Sequence, residues 1–397
     1  MDERAASYFN SGELLGIAQR LIQMPSENPS GTEESVALCI KSILEENGIS
    51  AELSWAAAGR PNLMAAIEGE LPGPVLVYNG HLDVVPAGPY WTKPPFDGLV
   101  EDGKLYGRGA SDMKSGVAAM LYAAIVLKRS GVPFHGKLIL FFNVDEERSN
   151  LGMKHFMREE FTADYAVIGE PTDLDACICH KGDGRYRLDT YGISGHTSVV
   201  ERPDNAIYKM AKLIIGLELL GNEVKRRKHE MLGSASLTVA QIHGGTAPNI
   251  VPSHAQIEID RRVLPGESEE EIYGEIERTA REISAREGFD VRLEQYLYLP
   301  PHSLEEHHPL AQTALRIATE ITNERKRIKP FLATTEAPFF SVARGIPTLV
   351  MGPGSLHRAH TEDEWVDVQE LTDASQIYIA LALELLQHCE SNEGGRL

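Results

Sequence analysis

Four short β-rich runs constrain this 397-residue chain more than any other feature: "PVLVYNGHLDVV" (Pro74 to Val85), "KLILFFNVDEE" (Lys137 to Glu147), "YAVIGE" (Tyr165 to Glu170) and "PTLVMGPG" (Pro347 to Gly354). Each is β-rich and leads into polar or Gly-rich sequence, which is the pattern of strands buried in a parallel or mixed sheet. Helical patterns alternate with them, such as "GELLGIAQRLIQM" and "TEESVALCIKSILEENG", the second stopping on a Gly suited to a helix end. The alternation predicts an α/β fold. The length exceeds what one ordinary core organises and predicts two domains.

Charge narrows the partners. Lys and Arg number 38 against 58 Asp and Glu, a net charge of −20 that argues against nucleic acid or an anionic membrane. The one basic run, "KRRKH" from Lys225 to His229, reads as a solvated helix end or loop. The start "MDERAASYFN" is acidic and unlike a secretory signal, and no apolar run approaches the ~20 residues of a membrane span. A cytoplasmic protein is expected. Cys39, Cys177, Cys179 and Cys389 are too scattered for a disulfide framework, so reduced thiols are expected too.

The polar residues at the strand ends carry the functional reading, because ligands of open α/β sheets bind outside the carboxyl ends of strands. "GHLD" supplies His81 and Asp83, "DEE" supplies Asp145, Glu146 and Glu147, Glu170 ends the third run, and "HRAH" supplies His357 and His360. "GRGASDMKSG" adds Asp112 just before an apolar helix. Taken singly, His81 is a hydrogen-bonded core or surface residue, Asp112 a helix N-cap, and the acids solvated turns. Taken together they would repel, since packed carboxylates raise one another's pKa. A cation resolves that conflict, and Zn²⁺ accepts imidazole and carboxylate ligands at about 2.0–2.2 Å.

Further text stands in order from about residue 80 to residue 366: "GHLDVVP", "GRGASDMKSG", "DEE", "IGEPT", "HKG", "SGHTS", "GGTAPNIVP", "IDRRVLPGE", "TTEAPFF" and "GPGSLHRAHTEDEWV". This set resembles the co-catalytic metallohydrolases that include acetylornithine deacetylase, succinyl-diaminopimelate desuccinylase, aminoacylase and the glutamate-releasing carboxypeptidases. The resemblance implies two divalent metal ions, usually zinc, with cobalt as the alternative. His81 and Glu170 would hold one ion, Glu147 and His360 the other, and Asp112 would bridge them. Asp83 would fix the His81 tautomer. Glu146 would be the base that activates a water between the metals. Adjacent strand residues point to opposite faces, so Glu146 and Glu147 can serve one site only if the strand ends there. His357 is left as a loop histidine, and Asp145 with a hydrogen bond to nearby backbone.

Between "HKG" and "LEQYLYLPP" the chain reads strand, helix, strand, strand, helix, strand, an inserted α+β domain of ferredoxin-like order. The resemblance makes it the lid and dimerisation domain, at residues 184–296, between catalytic parts at 1–183 and 297–397. The catalytic domain is expected to be a mixed sheet with helices on both faces. From the lid, His196 would stabilise the oxyanion, delivered by the partner subunit of a homodimer, while Asn249 and Arg262 would hold the substrate's carboxylate. Asp-x-Arg spacing from Asp260 selects Arg262 over Arg261. "TTEAPFF" and "GPGSLHRAHTEDEW" are most similar to the acetylornithine deacetylase branch, and place Thr335 and Gly354 as substrate contacts. The expected activity is removal of an acyl group from an N-acyl-L-amino acid. The same motifs leave open a desuccinylase, a di- or tripeptidase, a carboxypeptidase and, more remotely, a non-catalytic metal-binding dimer.

Overall fold

The computed structural model describes residues 2–29, 33–199 and 204–386. The chain divides into two compact units, one of Met1–Ile178, Leu304–Phe331 and Thr335–Leu397, the other of Cys179–Ser303 with Leu332–Thr334. The expected insertion, 184–296, lies inside the second unit. The strands Gly182–Tyr191 and Val291–Leu299 overrun those bounds at both ends because they pair along most of their length.

The first unit is built on a mixed sheet. Its strands run in the spatial order Ala51–Ala57, Arg60–Glu68, His135–Asn143, Leu71–His81, Tyr165–Ile168, Thr348–Val350 and Ala176–His180. The central four are parallel, and the pairings toward either side are antiparallel. These central strands are the β-rich runs of the sequence, and they are almost wholly buried near their carboxyl ends. Register levels those ends: His81 stands opposite Asn143, and Asn79 opposite Ile168. Residues just past each strand are therefore delivered to one rim of the sheet.

The helix Lys114–Ser130 packs against the strands Leu71–His81 and His135–Asn143 and against the helices Ser11–Ile22 and Val368–Leu385. Its Ala-rich sequence suits burial on nearly every side, and it ends on Gly131 in the left-handed conformation. Cys39, Cys177 and Cys179 are buried and none is in a disulfide among the described residues; Cys389 lies outside them. Among the described residues no helix is long and apolar enough to cross a membrane.

The second unit has the order β-α-β-β-α-β. Its four antiparallel strands lie side by side as Ser236–Gly244, His254–Val263, Gly182–Tyr191 and Val291–Leu299. Met210, Leu213 and Leu217 of the helix Ala206–Val224, with Ile272, Ile276, Ala280 and Ile283 of the helix Glu269–Glu287, form apolar stripes at helical spacing. They close on Ala255, Ile257, Ile259 and Val263, which alternate along a strand. Ser268 caps the second helix, three glutamates fill its first turn, and Gly288 ends it.

One close approach ties the first unit's fold to its rim. A Cβ on Gly116, in the first turn of the helix Lys114–Ser130, would stand 2.1 Å from the Gly169 carbonyl oxygen. Alanine is favoured over glycine in a helix by about 1 kcal/mol, but a backbone oxygen cannot swing aside as a side chain can. Gly116→Ala is expected to destabilise the protein by a net amount on the order of 1–3 kcal/mol, measured by urea unfolding.

Candidate metal and catalytic site

Five of the predicted residues meet at this rim. The Asp112 carboxylate divides between two imidazoles: Oδ1 is 3.1 Å from His81 Nε2, and Oδ2 is 3.3 Å from His360 Nε2. His81 Nε2 also lies 3.6 Å from Glu170, and His360 Nε2 3.1 Å from Glu147. Two groups result, His81 with Glu170 and His360 with Glu147, sharing Asp112. Ligand atoms of His81, Asp112 and Glu147 all fall within 4.8 Å of one another.

Local structure explains each placement. The strand His135–Asn143 ends before Asp145, whose φ of 66° turns the chain, so Glu146 and Glu147 sit on a turn rather than on opposite strand faces. Asp112 is presented by a loop pinned through Glu364, whose carboxylate accepts the backbone N–H groups of Ser111 (2.8 Å), Asp112 (2.9 Å) and Gly109 (3.2 Å) and pairs with buried Arg108. Gly354, with φ 90°, packs on that loop, and a Cβ there would lie 2.5 Å from Ser111 Oγ. Thr335 Oγ1 accepts the Ala337 N–H at 3.0 Å, at the start of the helix Ala337–Arg344. His357 is exposed.

The Asp83 carboxylate does something other than expected. His81 Nδ1 meets the Asp83 backbone carbonyl at 2.9 Å, while the nearest Asp83 carboxylate oxygen is 3.8 Å away, beyond hydrogen-bond range. A residue two positions along a bending chain brings its own carbonyl to the ring before its side chain. Nδ1 can still donate there and leave Nε2 to face the cluster. The Asp83 carboxylate accepts the N–H groups of Glu146 (3.1 Å) and Glu147 (3.2 Å) and so braces the acidic turn.

Electrostatics fit a cation. Burial pushes Glu146 and Glu170 well above the usual carboxylate range, reinforced by the charge of Glu336 on the first and Asp112 on the second. Glu147 is raised by burial and by Asp112. Burial opposes charge on His81, but the Asp112 hydrogen bond and surrounding carboxylates hold its pKa well above the ordinary value. His360 is raised to about 10 by hydrogen bonds to Asp112 and Glu147. Protonated imidazoles thus supply the positive charge these carboxylates demand. A divalent cation would meet the same demand and free both Nε2 atoms as ligands.

Glu336 and Glu364 were missed as site residues, although both lay in text singled out for other positions. Glu336 is fully buried, accepts Asn143 Nδ2 at 2.9 Å, and has an oxygen within 4.8 Å of Glu146 and Glu170 oxygens.

In the second unit, His196 pairs with Ile250 between two short strands, and the Thr197 N–H donates to the Asn249 carbonyl at 3.1 Å. His196 and Asn249 are thereby neighbours. Arg262 is elsewhere, near the end of the strand His254–Val263, where it pairs with Asp260 at 2.9 Å. The nine residues of continuous strand from His254 to Arg262 span roughly 27 Å. Alternation buries Arg261 completely, paired with Glu267, and turns Arg262 to the other face.

The fold and this rim define a metal-dependent hydrolase of C–N amide bonds. Residues 77–384 match Peptidase family M20/M25/M40, and the chain belongs to that family. It is 30% identical to the acetylornithine deacetylase of Photorhabdus laumondii, over 95% of this chain and 98% of that protein. It is 27% identical to the N-formyl-4-amino-5-aminomethyl-2-methylpyrimidine deformylase of Halalkalibacterium halodurans, over 94% and 95%. Among solved structures, aminopeptidase PepT of Bacillus cereus superposes with a TM-score of 0.79 at 22% identity, covering 95% of this chain and 99% of that one. The Bacillus subtilis YxeP protein, described as a dinuclear metal binding peptidase of family M20, superposes at 0.70 and 18% identity, covering 96% and 99%.

Glu364→Ala would leave Arg108 buried and unpaired and three amides without their acceptor. The expected cost is on the order of 3–5 kcal/mol by denaturant unfolding. Glu364→Gln, which keeps an acceptor oxygen, is expected to lose less.

Proposed function

We propose that the protein removes an acyl group from an N-acyl-L-amino acid, with N-acetylornithine the first candidate, in the cytoplasm. The observation that carries this reading is the divided Asp112 carboxylate, one oxygen toward His81 and the other toward His360. It supports a pair of divalent ions, zinc first and cobalt second, with His81 and Glu170 holding one, Glu147 and His360 the other, and Asp112 both. The description of YxeP as dinuclear and the deacetylase relative at 30% identity support the same reading. Bound there, such ions polarise a scissile carbonyl and lower the pKa of water toward ~7.

Glu146 is the base. It sits on the turn beside Glu147, placed to accept a proton from water at the cluster, and without a metal, burial and the nearby Glu336 charge raise its pKa. It takes the proton of the attacking water, whose oxygen bonds to the carbonyl carbon. As the C–N bond breaks, Glu146 returns the proton to the amine nitrogen. His196 donates to the developing oxyanion, and Asn249 and Arg262 are assigned to the substrate's carboxylate. Strand phase supports Arg262 over Arg261. Thr335 and Gly354 are retained as contacts near the substrate, although their hydrogen bond and packing also serve the fold.

A homodimer through the second unit belongs to the same proposal. The helix Ala206–Val224 exposes Tyr208, Ile215 and Leu219 beside the exposed edge strand Ser236–Gly244. Arg262 stands near the far end of the strand His254–Val263 from the neighbourhood of His196 and Asn249, an arrangement that favours supplying these residues from two copies.

A panel of N-acetylornithine, N-succinyl-diaminopimelate, other acyl amino acids and short peptides is expected to show fastest turnover on an acyl amino acid, lost on chelation and restored by zinc or cobalt. Preference for a peptide would move the protein to the peptidase branch, and turnover indifferent to chelation would sink the metal reading. Glu146→Gln is expected to keep both ions by elemental analysis while turnover falls by about 10²–10⁴-fold.

A further inference from the structure

The turn that presents Glu146 and Glu147 is anchored from outside the proposed ligand set. Asp145 Oδ1 accepts Arg60 Nη1 at 2.8 Å and Asn28 Nδ2 at 2.8 Å. Its Oδ2 accepts the Leu151 N–H at 3.2 Å and the Ser149 hydroxyl, and its carbonyl accepts the N–H groups of Ser149 and Asn150 at 3.2 and 2.6 Å. Arg60 is itself held by two bonds to buried Glu33, Nε to Oε2 at 3.1 Å and Nη2 to Oε1 at 2.6 Å. Asn28 Nδ2 also donates to Asp83 Oδ2 at 2.9 Å, and that carboxylate holds the amides of both glutamates. A continuous series of contacts runs from Glu33 through Arg60, Asp145, Asn28 and Asp83 to the turn.

We propose that Asp145, fixed by Arg60 and Asn28, is a positioning residue that sets the turn so that Glu146 and Glu147 face one site. The proposal rests on the roles assigned above to those two glutamates. Three observations support it. The φ of 66° at Asp145 reverses the strand, and Asp is one of the few non-glycine residues that takes this conformation at modest cost. The carboxylate closes the turn on both sides, through Ser149 and Leu151 beyond the glutamates and through Arg60 and Asn28 from other elements. A buried ionic series is also a poor device for stability alone, because well-packed apolar residues stabilise such a position as well or better. Its orientation of hydrogen-bonding groups is what an apolar replacement cannot supply.

The test uses the full chain loaded with Co²⁺, whose visible d–d bands report ligand geometry. Asp145→Gly keeps the backbone conformation available and removes the carboxylate, Arg60→Gln removes the outer anchor, and Arg60→Lys keeps the charge without the fork. Both losses are expected to shift the cobalt bands and lower kcat by about 10–100-fold, with KM moving by less than about threefold. Because the contacts act in series, the double variant should be no worse than Asp145→Gly, and Arg60→Lys should recover part of the Arg60→Gln loss. Unchanged bands and kcat with only a lowered melting temperature would reduce the network to a structural one, as would independent, multiplying losses. If Asp145→Gly does not fold, the two Arg60 variants decide. Wild-type protein that takes up cobalt but hydrolyses nothing in the panel would refute the functional reading, while the bands would still decide the positioning one. Failure of the wild type to take up cobalt would overturn both.

Discussion

Everything at the rim depends on keeping Asp112 charged and central among other carboxylates. Two unit charges 4 Å apart interact by about 4 kcal/mol at an effective dielectric constant of 20. Asp112, Glu146, Glu147, Glu170 and Glu336 gather where burial penalises every one of them as an anion. Such a cluster needs either protonation of some of its carboxylates or positive charge inside it. His81 and His360 hold Asp112 well below the usual carboxylate range against its burial. The same geometry that makes them protonated partners makes them candidate metal ligands. The surrounding fold then has one task, to prevent relaxation. Glu364 fixes the Asp112 loop, Asp83 braces the acidic turn, and Gly116 lets the helix Lys114–Ser130 approach the backbone just before Glu170.

The residues legible in the sequence were those whose position follows from a strand ending. His81, Glu147 and Glu170 each close an apolar run, and a parallel sheet with level register must bring such ends together. The need for the strand to stop before Glu146 followed from alternation once the resemblance had assigned Glu146 and Glu147 to one site. The means, a left-handed Asp145 held from two other elements, did not, because spacing carries no information about which distant side chains arrive. The Asp83 expectation missed for a related reason: a spacing of two says a residue is near the ring, not whether its carbonyl or its carboxylate gets there first.

Glu336 and Glu364 show the opposite limit. An acidic residue outside any apolar run reads as solvated, and only tertiary packing reveals that both are buried. Glu364 is raised to about 7 by burial against the pull of Arg108. The second unit was more legible because its pattern is local. Alternation along a strand and three- and four-residue spacing along two helices define a sheet covered by helices, and strand phase separates Arg261 from Arg262 without further help.

That second sheet also limits how the proposed chemistry can be assembled. His196 and Asn249 are joined through paired backbone beside the start of the strand His254–Val263, and Arg262 lies near its other end. A β-strand does not shorten, so His254 and Arg262 stay roughly 27 Å apart along it. Under the proposed roles, in which the oxyanion donor and the carboxylate-binding arginine act on one small substrate, this arrangement favours supplying them from two copies of the chain. The exposed apolar stripe of the helix Ala206–Val224 and the unpaired edge of Ser236–Gly244 are the surfaces in this unit that a second copy would cover. Catalysis would then depend on association as strictly as on metal, since each active site would borrow its histidine from the other chain.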